Sequence, residues 1–249
     1  KRIEVLTYFY DNKRLEMTSF TISDVPAAIL LGTISTTKLG GYSIILGPII
    51  ALIFWLIATG GPFIDTVDLA DAMASIQAAA GNSMSTVSNF LVTIGLLMLL
   101  NGIVSLQTTF AGKGNGITLS NYGVQLVRIG LIGIVVVAGF DLARLADPAS
   151  ATVASGSITG VYAAATGINI TAGGILSLGF LLFSLGLSTR DDQNKIFCLI
   201  VAVASVVGVI AAVISGTDSS QLQTMNNVTG VVYLISTIWV ITLGLKMIK

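Results

Sequence analysis

Histidine is absent from this chain of 249 residues, and cysteine occurs only once, as Cys198. Without imidazole the chain cannot supply histidine-ligated haem, zinc or copper sites, or Ser-His and Cys-His nucleophile pairs. A single cysteine excludes an intrachain disulfide, and within an apolar segment we expect it to be a small buried hydrophobe. We therefore predict that the chain is not an enzyme and has no catalytic residues, no metal site and no cofactor.

Charge is scarce as well. Asp, Glu, Lys and Arg make up 10% of the residues, whereas soluble domains contain about 25%. The twelve basic and twelve acidic residues cancel, so no net charge favours nucleic acid as a partner. What remains is apolar, with 54% hydrophobic residues and a mean hydropathy of +0.92. This composition predicts a protein that lies in a lipid bilayer.

Long runs without charge identify the membrane-spanning segments. No Asp, Glu, Lys or Arg occurs in residues 39–64, 72–112, 148–189, 196–217 and 219–245, and 114–140 holds only Arg128. A helix needs about 20 residues to cross about 30 Å of hydrocarbon, so each run is long enough. We predict an all-α membrane protein with six transmembrane helices, at about 41–60, 88–110, 121–140, 170–189, 196–216 and 228–246.

The distribution of basic residues predicts the orientation of these helices. With a cytoplasmic N-terminus, the inner segments hold ten basic residues: Lys1, Arg2, Lys13, Arg14, Lys38, Lys113, Arg190, Lys195, Lys246 and Lys249. The outer loops then hold only Arg144. Because cytoplasmic loops of membrane proteins carry an excess of Lys and Arg, we predict a multi-pass protein of the cell membrane with both termini in the cytoplasm.

We divide the chain into a cytoplasmic N-terminal segment, residues 1–40, and a six-helix transmembrane domain, residues 41–249. Apolar and polar residues alternate over 3–9, and turn-forming residues follow at 11–13, which predicts a small β-hairpin. A capping pattern then predicts a short interfacial helix at 27–31. A disordered tail is the alternative.

A faint repeat suggests how the helices are grouped. The outer ends of the odd-numbered predicted helices share a glycine followed by an aspartate: Gly60 and Asp65, Gly139 and Asp141, Gly216 and Asp218. Such spacing predicts three helical hairpins related by an axis along the membrane normal, as in transporters built from parallel repeats. Chance recurrence of glycine, which is common in membrane helices, is the alternative.

The first outer loop carries both a helical pattern and an acidic series. Apolar residues recur at helical spacing: Leu69, Met73, Ile76 and Ala80. Aspartates recur every three residues: Asp65, Asp68 and Asp71. On a helix these aspartates form an acidic face that could hold a hard cation. The alternative is that they stabilise the helix N-terminus through its dipole.

The second outer loop is predicted over 141–169 and begins with a similar series, Asp141, Arg144 and Asp147. We interpret this series as a solvated ion-pair face. No Asp or Glu then lies inside a predicted span, so neither an aspartyl protease nor proton coupling through a buried carboxylate is supported.

Arg128 is the one charge inside a predicted span. It lies about 10 Å from the inner end of its helix, given a rise of about 1.5 Å per residue. Asn101 lies at a similar depth on the preceding helix, and Gln125 is one turn from Arg128. We therefore predict an intramembrane polar cluster of these three residues. The alternative is a hydrogen-bonded lock between helices, or an arginine that reaches lipid phosphate.

Three functions remain. The lack of histidine and of carboxylates within the predicted spans favours a non-catalytic accessory or structural subunit of a larger membrane complex. Its glycine-rich helices would contact other subunits or further copies of the chain. The alternative is a channel or transporter for a small neutral or anionic solute. A membrane enzyme would need a cofactor held by partner chains. A transporter should contain a polar cavity that reaches the middle of the membrane, whereas an accessory subunit should have a packed interior and a covered apolar flank.

Overall fold

The computed structural model describes residues 5–6, 19–20, 35–58, 64, 67–80, 83–110, 114–146 and 156–249. The chain divides into two compact units, Lys1–Thr36 and Thr37–Lys249. In the first unit, strands β1 (Val5–Leu6) and β2 (Ser19–Phe20) pair antiparallel. The predicted turn at 11–13 and the predicted interfacial helix at 27–31 lie outside the described residues, so the hairpin and the short helix stay predictions.

The rest of the described chain is helical. Its elements are α1 (Thr36–Leu56), α2 (Ala72–Ala80), α3 (Ser83–Phe110), α4 (Ile117–Ala146), α5 (Gly156–Ser188), α6 (Lys195–Thr217), a 3₁₀ turn (Ser219–Gln221) and α7 (Leu222–Ile248). All of the α-helices except α2 are long and apolar enough to cross a membrane, which gives six candidate spans among the described residues. This confirms the prediction of a helical, multi-pass membrane protein. The cell membrane and the cytoplasmic termini stay predictions.

Two of the predicted connecting segments differ in how well they were predicted. The helix expected in the first loop is confirmed as α2, which buries Ile76 and Ala79. The bounds of the loop expected over 141–169 are wrong, because α4 continues to Ala146 and α5 begins at Gly156. The small residues at 156–169 belong to α5, and small residues allow close contact between the backbones of membrane helices. Asp141 therefore lies within a spanning helix rather than in a loop.

Glycines set the contacts and the direction of neighbouring helices. A Cβ on Gly47 of α1 would lie 2.5 Å from the backbone nitrogen of Leu99 on α3. Four residues later on α1, Ala51 meets Gly95, so the two helices run antiparallel. A Cβ on Gly244 of α7 would likewise lie 3.0 Å from the carbonyl oxygen of Gly41 on α1.

The remaining helices complete a ring. Gly123 of α4 faces Gly179 of α5, and Gly208 of α6 faces Ser177 of α5. Helix α3 also packs on α4, and α6 packs on α7. The six long helices thus follow one another around a closed ring, because α7 returns to α1. Since close contacts join α5 and α6 as well as α4 and α5, the grouping into three hairpins stays a prediction.

The ring is filled in one half only. A continuous cluster of buried apolar side chains occupies the half where α3 and α5 end and α6 begins: Ile44, Leu99, Ile103, Leu106, Val124, Val127, Leu131, Leu176, Phe180, Phe183, Leu187, Cys198, Val201, Trp239, Val240, Leu243 and Met247. Trp239 lies within it and is 2% exposed. The other half surrounds a cavity.

Candidate functional site

A cavity of about 380 Å³ lies inside the ring and is lined by residues of α1 to α7; we call it the central cavity. Helix α4 lines it with one face, through residues three or four positions apart: Leu131, Ile134, Val137, Asp141 and Arg144. Thirteen residues separate the first from the last, which corresponds to about 20 Å along the helix. Leu131 is at the midpoint of α4. The central cavity is therefore long and reaches the middle of the bundle.

The two sides of the central cavity differ in chemistry. The side formed by α1, α3 and the deeper part of α4 is apolar: Pro48, Ala51, Leu52, Trp55, Val92, Leu96, Leu99, Leu131, Ile134 and Val137. The side formed by α5, α6 and α7 also carries hydroxyl and amide groups: Tyr162, Thr166, Asn169, Ser215, Asn226, Thr229, Tyr233, Ser236 and Thr237. The cavity is thus apolar along one wall and capable of hydrogen bonding along the other.

An ion pair lies at one end of the central cavity. Nη2 of Arg144 is 3.2 Å from Oδ1 of Asp141, one turn earlier on α4. The guanidinium also lies over the ring of Tyr162 from α5, with 5.3 Å between its carbon and the ring centroid. The side chain of Arg144 is only 10% exposed, and that of Asp141 is 30% exposed. The interpretation of this series as a solvated face is therefore wrong for Arg144, and Asp147 lies outside the described residues.

Two of the hydrogen-bond donor atoms of Arg144 are not paired with neighbouring groups in the described part of the chain. Its Nε and Nη1 atoms are buried and have no hydrogen-bond partner among the described residues. A buried guanidinium normally has its donors paired, because leaving a charged donor unsatisfied in a site of low polarity costs several kcal/mol. Arg144 also lines the central cavity, so the residue with these two unpaired N–H groups lies beside the space in which a solute could bind.

The segment before α2 is tied to the bundle at the same end. The hydroxyl of Tyr162 donates to the carbonyl oxygen of Leu69 at 2.8 Å. The backbone N–H of Leu69 donates to Oε1 of Gln223, on α7, at 3.3 Å. Leu69 and Ser75 also line the central cavity. Leu69 is thus anchored to both α5 and α7 beside the ion pair.

The predicted acidic face is used for capping where it is described. Oδ1 of Asp71 accepts from the backbone N–H of Ala74 at 3.0 Å, at the start of α2. Oδ1 of Asp68 accepts from the backbone N–H of Ala70 at 2.9 Å, and Asp65 lies outside the described residues. In the part of the chain that the structure describes, no group of three or more His, Cys, Asp or Glu side chains could hold a metal ion.

The predicted polar cluster is brought together in part. Nη1 of Arg128 donates to Oε1 of Gln125 at 3.2 Å, one turn away on α4. The amide of Asn101 instead donates to the carbonyl oxygen of Leu97 on its own helix, at 3.0 Å. The described lining of the central cavity includes none of the three predicted residues. Arg144, rather than Arg128, is thus the arginine in the described lining of the central cavity.

Comparison with protein-family models, with curated proteins and with solved structures gives no significant match to this chain. The site is thus interpreted from its own geometry. Sequence reasoning missed Arg144, because the Ala- and Ser-rich residues after it were assigned to a long loop. A signal was present: Asp141, Arg144 and the apolar residues before them lie on one helical face.

Proposed function

We propose that this chain is a channel or transporter subunit that binds a small anionic solute in the central cavity. The observation that carries the proposal is the buried guanidinium of Arg144, which has two donors without partners among the described residues and belongs to a residue that lines the cavity. Charge-assisted hydrogen bonds to such donors are about twice as strong as neutral ones. An anion bound there would satisfy a group that the described residues leave unsatisfied.

The shape of the central cavity supports a transport role rather than a purely structural one. It extends from Arg144 to Leu131, at the midpoint of α4, and polar side chains accompany it along α5 and α7. Beyond that depth the bundle is filled by Trp239 and the apolar cluster. A solute site closed on one side fits a protein that alternates access, or a channel in its closed state.

The accessory-subunit hypothesis stays a prediction. Its expected feature is a broad apolar flank, and α6 has one with Ile196 73% exposed, Val203 67% exposed and Val213 61% exposed. Lipid-facing helices of every multi-pass protein show the same feature. This flank therefore does not favour a protein partner over lipid.

The test uses the two tryptophans of the chain, Trp55 and Trp239. Trp55 lines the central cavity and Trp239 lies in the cluster beyond it, so their fluorescence should respond to a bound solute. The full chain in lipid nanodiscs is titrated with butanoate. We expect saturable binding that weakens about tenfold or more in Arg144→Gln, because charged hydrogen bonds are lost.

Arg128→Gln is the matched control, because it removes an arginine from the same helix at a position outside the described cavity lining. It should bind butanoate as the unmodified chain does. Equal binding by the Arg144→Gln variant and the unmodified chain would refute the proposal, as would loss of binding in Arg128→Gln alone.

A further inference from the structure

We infer that the lipid-facing surface of α4 binds the phosphate of an anionic phospholipid through the side chains of Tyr122, Gln125 and Arg128. We call these three residues the outer polar site. The inference goes beyond the proposed function, because the described lining of the central cavity includes none of the three. It follows from the exposure of the site, its depth, its hydrogen-bond donors and the charges around it.

The outer polar site lies on the surface of α4 that faces away from the other helices. Tyr122 is 62% exposed, Gln125 is exposed, and Arg128 is half-buried. The next residue, Ile129, is 53% exposed, whereas Gly123 lies against α5. Because the exposed surface of a spanning helix meets lipid, these three polar side chains lie beside lipid molecules.

The depth of the site brings it within reach of lipid head groups. Helix α4 has 30 residues, which corresponds to about 45 Å, whereas the hydrocarbon of a bilayer is about 30 Å thick. With the excess shared equally between its ends, α4 enters the hydrocarbon about five residues after its start, at the level of Tyr122. Arg128 lies six residues further on, about 9 Å deeper.

The side chains of the site offer hydrogen-bond donors in the direction of the head groups. Nη1 of Arg128 donates to Oε1 of Gln125 at 3.2 Å, one turn nearer the start of α4. Helical side chains point toward the N-terminus of their helix, so the guanidinium extends toward the membrane surface. Because the oxygen of Gln125 accepts this bond, its amide offers N–H donors, and the hydroxyl of Tyr122 can donate as well. Donors around one positive charge suit a phosphate group.

The charges around the site favour a lipid whose head group has a net negative charge. Arg128 is the only charged residue of α4 between positions 117 and 140, so this surface offers no carboxylate to the ammonium group of a zwitterionic lipid. Other helices add basic residues at the same end of the bundle: Lys38 on α1, Lys195 on α6 and Lys246 on α7. Basic residues near a membrane surface attract anionic lipids.

A second copy of the chain fits this surface less well than lipid does. A partner helix would need a carboxylate at the depth of Arg128, because contact between two basic surfaces is repulsive. Among the six described spanning helices the one carboxylate is Asp141, which lies toward the other end of α4. The neighbouring exposed residues, Ile129 and Ile132, are bulky, whereas close contacts between membrane helices use small residues.

The experiment is native mass spectrometry of the full chain in detergent, titrated with dioleoylphosphatidylglycerol or with dioleoylphosphatidylcholine. We expect the first phosphatidylglycerol to bind at least about fivefold more tightly than the first phosphatidylcholine. Arg128→Gln should remove this preference. Gln125→Leu should weaken phosphatidylglycerol about threefold, as loss of one neutral hydrogen bond does. Lys195→Gln is the matched control, because it removes an exposed positive charge from the same end of the bundle, and it should keep the preference.

Four results would overturn the inference. Equal affinity of the unmodified chain for the two lipids would remove the anionic head group, and an equal loss in Lys195→Gln and Arg128→Gln would indicate attraction by charge alone. Displacement of phosphatidylglycerol by inorganic phosphate at the same concentration would show that no lipid is needed. Unchanged affinity in Gln125→Leu would refute the site even if Arg128→Gln failed to fold.

The same spectra test the second copy as the occupant. A change in the number of chains per particle in Arg128→Gln, with unchanged affinity for phosphatidylglycerol, would assign this surface to contact between copies and overturn the lipid site. Butanoate binding at Arg144 is a separate measurement on the other variant. Failure of the lipid site therefore leaves the proposed function standing, and failure of the proposed function leaves the lipid site standing.

Discussion

Trp239 and Phe183 meet edge to face beneath the central cavity, with ring centroids 5.2 Å apart and planes inclined at 64°. Phe180, one turn along α5, meets the same indole at 6.5 Å and 76°. Edge-to-face aromatic pairs contribute about 0.5–1.5 kcal/mol beyond the area they bury. Phe180 is one of the residues that line the central cavity, and Phe183 and Trp239 lie behind it in the apolar cluster; we call these three rings the floor of the central cavity.

Removing the indole should open this floor. Trp239→Ala should lower the free energy of unfolding by about 3–5 kcal/mol, as large-to-small changes in a core do. The lone thiol reports the opening, because Cys198 is 1% exposed and lies in the same apolar cluster as Trp239. We expect a small methanethiosulfonate reagent to modify Cys198 in Trp239→Ala but not in Trp239→Phe. Equal protection of the thiol in both variants would contradict the assignment of Trp239 to the floor.

The close contact between α4 and α5 leaves no room for a side chain at position 123. A Cβ there would collide with the backbone nitrogen of Phe183 and lie 2.7 Å from the carbonyl oxygen of Gly179. Gly123→Ala should therefore destabilise the protein by about 1–3 kcal/mol through overpacking. Gly139→Ala on the same helix is the control, because nothing lies within 4 Å of a Cβ at that position. Thermal unfolding in detergent would show a lower Tm for Gly123→Ala alone.

The class of the fold was predictable because hydrocarbon imposes a simple rule, namely about 20 apolar residues for each crossing. The start of α5 was not. Residues 156–169 are rich in Ala, Gly and Thr, which occur both in loops and at close helix contacts. Whether they continue a helix depends on the neighbouring helices, which no local pattern specifies.

The predicted topology can be tested with single cysteines, since Cys198 is the only native one. In a Cys198→Ser background, Asn115→Cys and Ser219→Cys place a thiol at exposed positions separated by three spanning helices. They should therefore lie on opposite sides of the membrane. An impermeant maleimide added to intact cells should label Ser219→Cys at once and Asn115→Cys only after permeabilisation. The reverse pattern would invert the predicted orientation, and labelling of both in intact cells would contradict the count of spans.

The turn between α5 and α6 should carry a small dependence of stability on pH. Nε and Nη2 of Arg190 donate to the two carboxylate oxygens of Asp192, at 2.9 and 3.0 Å. These hydrogen bonds hold the pKa of Asp192 below its ordinary value. A depressed pKa contributes stability that is complete above the unfolded value of about 3.9 and is lost as the pH falls through the folded value.

Because Asp192 is 54% exposed, this contribution should be at most about 1 kcal/mol. Thermal unfolding at pH 6 and pH 3 should show a loss of Tm that is smaller in Asp192→Asn than in the unmodified chain. Asp191→Asn is the control, because the Asp191 side chain is fully exposed at 100% and forms its ion pair with Lys195, at 3.3 Å, rather than with Arg190. An identical loss in all three proteins would rule out the Arg190 pair as its source.

The candidate site was less predictable than the fold. Arg128 and Arg144 both lie on α4, and sequence alone favoured Arg128 because it lies deeper in the apolar run. Which arginine faces the inside of a ring depends on the rotation of α4 about its axis. That rotation is fixed by contacts such as those of Gly123 and Gly130 with α5, and these pairings between distant positions have no signature in a single sequence.

Asp141 should control which anions Arg144 accepts. Its carboxylate lies 3.2 Å from Nη2 of Arg144. The negative charge of the carboxylate offsets part of the positive charge that a bound solute would meet. Asp141→Asn removes the competing charge, so butanoate should bind about tenfold more tightly, and the dianion sulfate should gain still more because the repulsion it meets is doubled. Asp218→Asn is the control, because Asp218 is exposed beyond the end of α6 and does not line the described cavity. If Asp141→Asn instead weakened the binding of butanoate and sulfate equally, Asp141 would act by orienting the guanidinium, and its proposed role in selecting anions by charge would be wrong.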